Sequence, residues 1–430
     1  MDFTLNDEQE LLRNGLTRFL ATRYDLEKSR AAAKTGLGWQ PDIWRAFAEE
    51  LGILGAALPE EYGGIGGGPV EMMLIAEALG HALVIEPYVD TAVVAAGMLR
   101  RAGGDAAAEL VEKIASGTAI VTVAATEPTS GENWRDVTTV AERDGDDWML
   151  RGTKIVSAST PLASHVLVTA RTSGARTDAD GISLFLVEVG SSTPGLTLHH
   201  YRTVDDRRAS DIALEGVRLP SDALVGGAGV AWPWLTRARD EGAAAVCAEA
   251  VGCMRKVLAD TVEYCKQRQQ FGQPIGGFQV LQHRMVDMYM HVEQAAAAAL
   301  LAILKLDADE VTRARAVSAA KVTVGRAAQF VGQQADQLHG GMGMTEELAI
   351  GHYFKRLTAL QFEFGSTDHH VSRYAQASVA GSRSHTGSSR IPGRVALGYA
   401  AEFAVPVQVR ASVDSPVHEA SRVPAVPAAA

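Results

Sequence analysis

A chain of 430 residues, 47% of them hydrophobic, exceeds what one compact core takes and implies two or three domains. Its formal charge of -11 excludes nucleic acid as the main partner, while leaving room for a local basic pocket that holds a nucleotide. The cysteines, Cys247, Cys253 and Cys265, lie in one helical region without metal-ligand spacing, so no metal is expected and a reducing compartment is.

Residues 1–118 read as an all-α domain. The opening MDFTLNDEQELLRNG has no charged segment followed by an apolar run, so a signal peptide is not expected. Leu11, Leu12, Leu16, Phe19 and Leu20 recur at helical spacing, as do Trp44, Phe47, Leu51 and Leu54 after a start at Pro41 and Asp42. The glycines of LPEEYGGIGGGP break the pattern before two further helices, Met72 to Leu83 and Ala92 to Leu99. At Ala119 the texture turns short and β-branched. Strands are expected in AIVTVAATEP from Ala119, and at Val137 to Glu142, Trp148 to Leu150, Val166 to Ala170, Leu184 to Val189, Leu196 to His199 and Ile212 to Val217. Residues 119–225 therefore read as a middle β-barrel or sandwich. Residues 226–380 return to helix, with Arg239 to Gln267, Val280 to Leu306 and Val311 to Leu338 as the main rods of a four-helix bundle. The longest apolar run, Ala295 to Leu304, is too short to span a bilayer, so a soluble cytoplasmic protein is expected, with no membrane partner. Residues 381–430, polar and glycine-serine rich and then scattered with Pro, Val and Ala, are expected to be a poorly ordered tail. The fold class is thus α+β, helical at both ends with β-structure between.

Two stretches carry chemistry. RQQFGQPIGGFQ, Arg268 to Gln279, sets an Arg, an aromatic and a Gly-Pro turn between two helices. Arg presents a planar fork of donors to phosphate oxygens, and Phe271 offers a face to a flat ring. QLHGGMGMTEELAIGHYFKRLTALQFEFGSTDHH, Gln337 to His370, opens on adjacent glycines, Gly340 and Gly341, whose amides a ligand can approach closely. A second small-residue turn, Gly365-Ser366-Thr367, follows a helix bearing Lys355 and Arg356. Two such turns can grip the ends of a long cofactor. The plainer alternative is a helix cap, a loop and another helix.

Together these stretches resemble the acyl-CoA dehydrogenase family, over nearly the whole chain up to about Ala380. The resemblance implies FAD as cofactor. It assigns the nucleotide half to Arg268, Gln269, Gln270, Phe271, Phe278 and Gln279, and to Gln337, Leu338, Gly340 and Gly341 from a neighbouring subunit. Ser366 and Thr367 fall where a Thr-containing turn sits near the flavin, and Thr126 belongs to a T-E-P turn, Thr126-Glu127-Pro128, beside it. It further implies α,β-dehydrogenation of an acyl-CoA, with a carboxylate removing the α-proton and the β-hydrogen leaving as hydride to the flavin. Electrons then pass to an electron-transfer flavoprotein.

The catalytic positions depart from the family pattern. The Glu that many members place before the glycine of E-G-T falls on Phe364, with Glu363 one residue earlier, where the side chain points elsewhere unless the turn is remodelled. The alternative base position, early in the preceding long helix, falls on Gly242, beside Asp240 and Glu241. The plain reading of those two acids is that they cap the helix start. The candidates for base are therefore Glu363, the Asp240/Glu241 pair, or no residue of this chain. A flavin-packing W-I-T run is replaced by Val156-Ser157-Ala158, and Glu132 puts a charge where relatives carry a small Ser. These features resemble a bacterial branch named pimeloyl-CoA dehydrogenase small subunit, whose members pair with a second homologous chain. A homo-oligomer or a heterotetramer follows from the resemblance, as does a catalytically incomplete partner subunit as the alternative function.

Overall fold

The computed structural model describes residues 4–189 and 193–384. The first helices are set by their caps. Helix α1 (Asp7–Arg23) starts with a reciprocal pair, the Gln9 amide donating to Asn6 Oδ1 at 2.8 Å and the Asn6 amide to Gln9 Oε1 at 3.1 Å. It buries Leu16, Phe19 and Leu20 and leaves Leu11 outside. Then come α2 (Leu26–Thr35), α3 (Pro41–Glu49), which begins on its proline, and α4 (Pro69–His81). The segment expected as one helix from Ala92 is a turn of π-helix, Val89–Ala95, continuing into α5 (Ala96–Ala102), and α6 (Asp105–Ala115) closes this part.

The middle part is one continuous eight-stranded sheet. Its strands are β1 (Val121–Ala124), β2 (Val140–Asp144), β3 (Asp147–Ala158), β4 (His165–Arg171), β5 (Ile182–Glu188), β6 (Leu196–Arg202), β7 (Arg208–Leu219) and β8 (Leu224–Val225). The order is β6-β7-β3-β2-β4-β5-β8, with β1 added in parallel to β4. Strand β3 runs eight residues beyond the expected Trp148 to Leu150. Its second half slips register against β7 between Lys154 and Ser157, and Val156 sits at φ 51 in that bulge. The sheet has a core of its own around Trp148, Leu150, Phe185 and Leu214.

The last part holds α7 (Trp232–Gln267), a two-residue-strand hairpin formed by β9 (Gln269–Gln270) and β10 (Gln273–Pro274), α8 (Gln279–Leu304), α9 (Glu310–His339), α10 (Ala349–Leu360) and α11 (Thr367–Ser384). Helix α7 begins seven residues before the expected Arg239, so Asp240 and Glu241 lie well inside it and are not caps. Residues 381–384 of the expected tail continue α11, and 385–430 lie outside the described residues. Among the described residues no helix is long and apolar enough to cross a membrane.

A second, larger core joins the N-terminal helices to the bundle. It depends on a close crossing of α4 and α7. A Cβ on Gly80 would stand 2.0 Å from the Glu249 carbonyl oxygen, and one on Gly252 would stand 1.9 Å from that of Glu77. The Cys253 thiol donates to the Gly80 carbonyl at 3.1 Å in the same contact. Backbone touches backbone here, so neither position has room for a methyl group. Gly252→Ala should cost about 2 kcal/mol through overpacking, read as a lower urea midpoint. Gly15→Ala, where a Cβ meets nothing within 4 Å in the middle of α1, should instead gain about 0.5 kcal/mol.

Candidate active site

Where the three parts meet, a cavity of about 410 Å³ opens. The π-helical turn contributes Val89, Asp90 and Val94, and the end of β1 and its following turn contribute Val123, Ala125 and Thr126. The bulge of β3 adds Ile155 to Ser159, and the turn after α10 adds Phe362 to Gly365. Thr126 and Glu363, named from separate motifs, share this space.

The turn holding Thr126 is anchored by the residue beside it. Glu127 and Lys154 are both fully buried and paired at 2.6 Å. The Thr138 and Thr139 amides donate to the same carboxylate at 2.7 and 3.0 Å, and the Lys154 ammonium also donates to Thr169 Oγ1 at 2.9 Å. Burial works against the charge on Glu127, but Lys154 and the Thr138 hydroxyl outweigh it and hold the carboxyl down at about 2. Burial takes Lys154 down to about 8 despite the attraction of Glu127. Both values leave the pair charged at neutral pH.

Glu363 reaches the cavity but is not alone. Arg356, itself buried, binds it at 2.5 and 3.2 Å, and also binds Glu249 at 2.8 and 2.9 Å and Asp205 at 2.8 Å. Arg207 pairs with Glu249 at 2.7 Å. Three carboxylates thus face two guanidiniums, and the buried Lys321 ammonium stands beside them, donating to the Glu363 carbonyl at 2.7 Å. Phe364 takes φ 58 and Gly365 φ 116. The remodelled turn brings Glu363 and the Phe364 ring to the same cavity.

Asp240 and Glu241 do not reach it. Asp240 is wholly buried between Arg313 at 3.0 Å and Arg373 at 2.6 Å. Glu241 is held by Arg101 and, at 2.8 Å, by Arg237. Both acids tie helices together. The Gly242 position is filled by its neighbour, since a Cβ there would meet the Phe364 ring at 2.6 Å. Phe364 packs edge-on against Trp134 at 6.2 Å, and Arg239 lies over that indole at 5.9 Å. The two places where the resemblance puts a base are therefore a phenyl ring and the glycine beneath it.

Glu132 lines the cavity too, but its charge is used locally. It accepts from the Ser366 amide and, at 3.0 Å, from the Ser366 hydroxyl, at the positive end of α11. Ser366 and Thr367 sit behind Gly365, with Thr367 packed on Gly325 of α9, and neither lines the cavity. His370 is buried against Ser318 and the Phe364 carbonyl, and burial pushes it down to about 2.

The nucleotide-binding candidates gather elsewhere, at the common end of α7 and α9. Tyr264 stacks on His339 at 4.3 Å, and its hydroxyl donates to the His339 carbonyl at 3.4 Å, so Arg268 and Gly340 follow from adjoining helix ends. Phe271 and Gly272 form the hairpin tip, both at positive φ. Phe271 is 91% exposed, and only Phe278 stands against it, edge-on at 6.2 Å. Arg268, Gln269, Gln270, Gln279, Gln337, Gly340 and Gly341 are exposed, whereas Leu338 is buried. Arg268 has no acidic partner among the described residues, and a Cβ on Gly340 or Gly341 would meet nothing within 4 Å. An unpaired guanidinium, a strained exposed ring and glycines with open space beside them suit a nucleotide diphosphate. Among the described residues no group of three or more His, Cys, Asp or Glu is placed to hold a metal.

Four residues of this region were not singled out as site residues from sequence: Asp90, Lys154, Arg239 and Arg356. Only Asp90 left a signal, as a lone acid inside the apolar run VDTAVVAA.

Family models for the N-terminal, middle and C-terminal domains of acyl-CoA dehydrogenases match residues 6–118, 122–217 and 231–379. The acyl-CoA dehydrogenase FadE12 of Mycobacterium tuberculosis is 32% identical over 358 residues, 81% of this chain and 90% of that protein. The ChsE4-ChsE5 complex from the same organism is similar in structure, with a TM-score of 0.77 and 27% identity, covering 90% of this chain and 100% of that one. So is a glutaryl-CoA dehydrogenase from Mycobacterium smegmatis in complex with FADH2, with a TM-score of 0.78 and 25% identity over 87% and 95%.

Glu127→Gln leaves the Lys154 ammonium buried without its counter-charge and should cost about 3 kcal/mol. In the unmodified protein, the contribution of Glu127 is complete above its ordinary value of 4.5 and lost as pH falls from there toward 2, because its folded value is depressed. Urea unfolding across that range should show a steeper acid decline in the wild type than in the Gln variant.

Proposed function

The chain belongs to the acyl-CoA dehydrogenase family, and from that premise we propose how its own residues share the work. The activity is FAD-dependent α,β-dehydrogenation of an acyl-CoA, an oxidoreductase step of lipid metabolism. Bound FAD supplies the acceptor for the β-hydrogen. Arg268, Gln269, Gln270, Phe271, Phe278 and Gln279 would hold its nucleotide half. Gln337, Leu338, Gly340 and Gly341 would close over that half from a neighbouring subunit. Thr126 would meet the ring end, with Ser366 and Thr367 supporting the Gly365 turn from behind.

Glu363 takes the α-proton. The observation that carries this is its place on the cavity that Thr126 also lines, with its carboxylate held by Arg356. Arg356 fixes its direction, so the acceptor oxygen is held in place. Asp240 and Glu241, bound into helix-joining ion pairs, are structural in this reading.

A second reading has its own support. Phe364 and Gly242 fill both expected base positions, and the ChsE4-ChsE5 complex joins two differently named chains. On this reading the protein pairs with a homologous chain, as in the pimeloyl-CoA dehydrogenase small-subunit branch, and completes that chain's FAD site. In either case an electron-transfer flavoprotein receives the electrons, and the buried free thiols favour a cytoplasmic setting.

Purified Glu363→Gln should bind FAD normally and reduce it about 100-fold more slowly with acyl-CoA in stopped flow. Unchanged reduction sinks the assignment of Glu363. Wild-type protein that oxidises no acyl-CoA alone, and does so once a homologous chain is added, selects the second reading. Arg268→Ala should weaken FAD binding about tenfold, with unchanged thermal unfolding of the FAD-free protein.

A further inference from the structure

The cavity contains one carboxylate that the dehydrogenation does not use. Asp90 sits in the π-helical turn, an element that recurs at functional sites because its extra residue redirects a side chain. Its Oδ2 accepts from the Ser159 hydroxyl at 2.6 Å. Ser159 directly follows the Val156-Ser157-Ala158 run and is itself at φ 57. Among the described residues Asp90 makes no ion pair and has no hydrogen-bonding side-chain partner besides Ser159.

The other three carboxylates on the cavity are committed. Glu363 and Asp205 are bound to Arg356, and Glu132 to the start of α11. The cations on its walls are committed as well. Arg207 donates to the Val84 carbonyl at 2.9 Å and pairs with Glu249. Arg208 runs along Gly38 and donates to the Gly36 carbonyl at 3.2 Å. Arg239 is turned to Trp134, His369 and the Phe364 carbonyl. Apart from Glu363, which is assigned to the α-proton, Asp90 is the cavity carboxylate that keeps an oxygen for an incoming group.

A hydrocarbon tail laid over Asp90 would bury that oxygen without a partner, which is unfavourable for any carboxylate. A second carboxylate would meet repulsion from Asp90 and Glu363, while Arg208 and Arg239, wall guanidiniums without a carboxylate ion pair among the described residues, are turned to Gly36 and to Trp134 and His369. A hydroxyl or an ammonium would supply the missing donor. We infer that Asp90, set by Ser159, selects acyl groups carrying a hydrogen-bond donor, a hydroxyl or an amine, on the chain beyond Cβ. Burial, opposed by the Ser159 hydroxyl and reinforced by Glu363, raises the affinity of Asp90 for a proton, as a site awaiting a donor would show. The inference rests on the dehydrogenase reading for the identity of the ligand, and it adds the chemistry of the acyl group.

The test uses the purified FAD-loaded protein, with its homologous partner chain if turnover needs one. Acyl-CoAs of equal length, bearing a terminal methyl, hydroxyl, ammonium or carboxylate, are compared by kcat/KM. Their non-oxidisable 3-thia analogues are compared by Kd. The hydroxyl or ammonium form should bind about tenfold more tightly than the methyl form. Asp90→Leu should reverse that order. Asp90→Asn, nearly the same in shape, should keep hydroxyl binding and lose ammonium binding. Equal or better binding of the methyl or carboxylate form by the wild type overturns the inference, as does an order that Asp90→Leu leaves unchanged. Equal loss of turnover on every substrate, with flavin content and Kd order intact, also overturns it and makes Asp90 a proton acceptor. If no acyl-CoA is turned over, the dehydrogenase reading fails, while the Kd order still decides the role of Asp90.

Discussion

The Arg356 guanidinium holds the sheet and the helical bundle of this protein in register around the cavity. It lies on α10, is almost wholly buried, and binds Glu249 of α7, Asp205 of the turn between β6 and β7, and Glu363 of the turn after α10. Burial alone would lower its affinity for a proton, but Glu249, Glu363 and Asp205 together keep it charged. A buried charge with several partners tolerates little displacement, because each carboxylate left behind would be desolvated and unpaired. The sheet, the bundle and the site turn are thereby fixed to one another by an interaction that no apolar contact would direct as closely. The α4–α7 crossing adds to this at the level of the backbone, since Gly80 and Gly252 bring those helices to contact distance just where Glu249 enters the network.

The broad architecture was legible because it is written in local patterns. Helical spacing marked α1, α3 and α4, and β-branched runs bounded by turns marked most of the sheet. The extended half of β3 was not legible. RGTKIVSA has neither strict alternation nor an apolar run, since Lys154 is buried by pairing with Glu127 and Val156 is turned outward by a bulge. Both causes are long-range. The start of α7 was missed for a simpler reason, as Pro233 sits near its first turn, where proline is tolerated, and the following Trp, Leu and Arg carry no clear stripe.

Legibility of the site divides along the same line. The nucleotide-binding candidates are contiguous motifs, and their conformation repeats what the sequence says: a tight turn at Phe271-Gly272 and a glycine pair at the end of α9. Their exposure carries a further implication. Phe271 at the hairpin tip, with Val280, Val286, Tyr289 and Met290 on the outer face of α8, is more apolar surface than a solitary chain usually shows in one region. A group bound at Arg268 gains a second wall only from another molecule, which suits the oligomeric assembly expected of the family. The ring-side residues come instead from distant segments: Arg356 meets Glu249 and Asp205 from 107 and 151 residues away, Arg239 meets Phe364 from 125, and Asp90 meets Ser159 from 69.

The one-residue step between Glu363 and Phe364 shows how a motif can be broken in sequence and mended in space. In a regular helix or strand the two side chains would diverge, and a carboxylate moved by one position would leave the site. Here α10 ends at Leu360, and the chain then passes through φ 58 at Phe364 and φ 116 at Gly365 before α11 begins. Two successive left-handed residues reverse the direction of the turn. A phenylalanine in that region is strained, and what compensates it is visible: its ring lies on Gly242 and against Trp134, and its carbonyl accepts from His370 at 3.1 Å. Gly242 is therefore more than a lost acid. Any side chain there would push the ring away and undo the turn that carries Glu363 to the cavity. The absence of an acid on α7 and the displaced acid after α10 are thus two sides of one packing arrangement, in which the glycine makes the room that the remodelled turn requires.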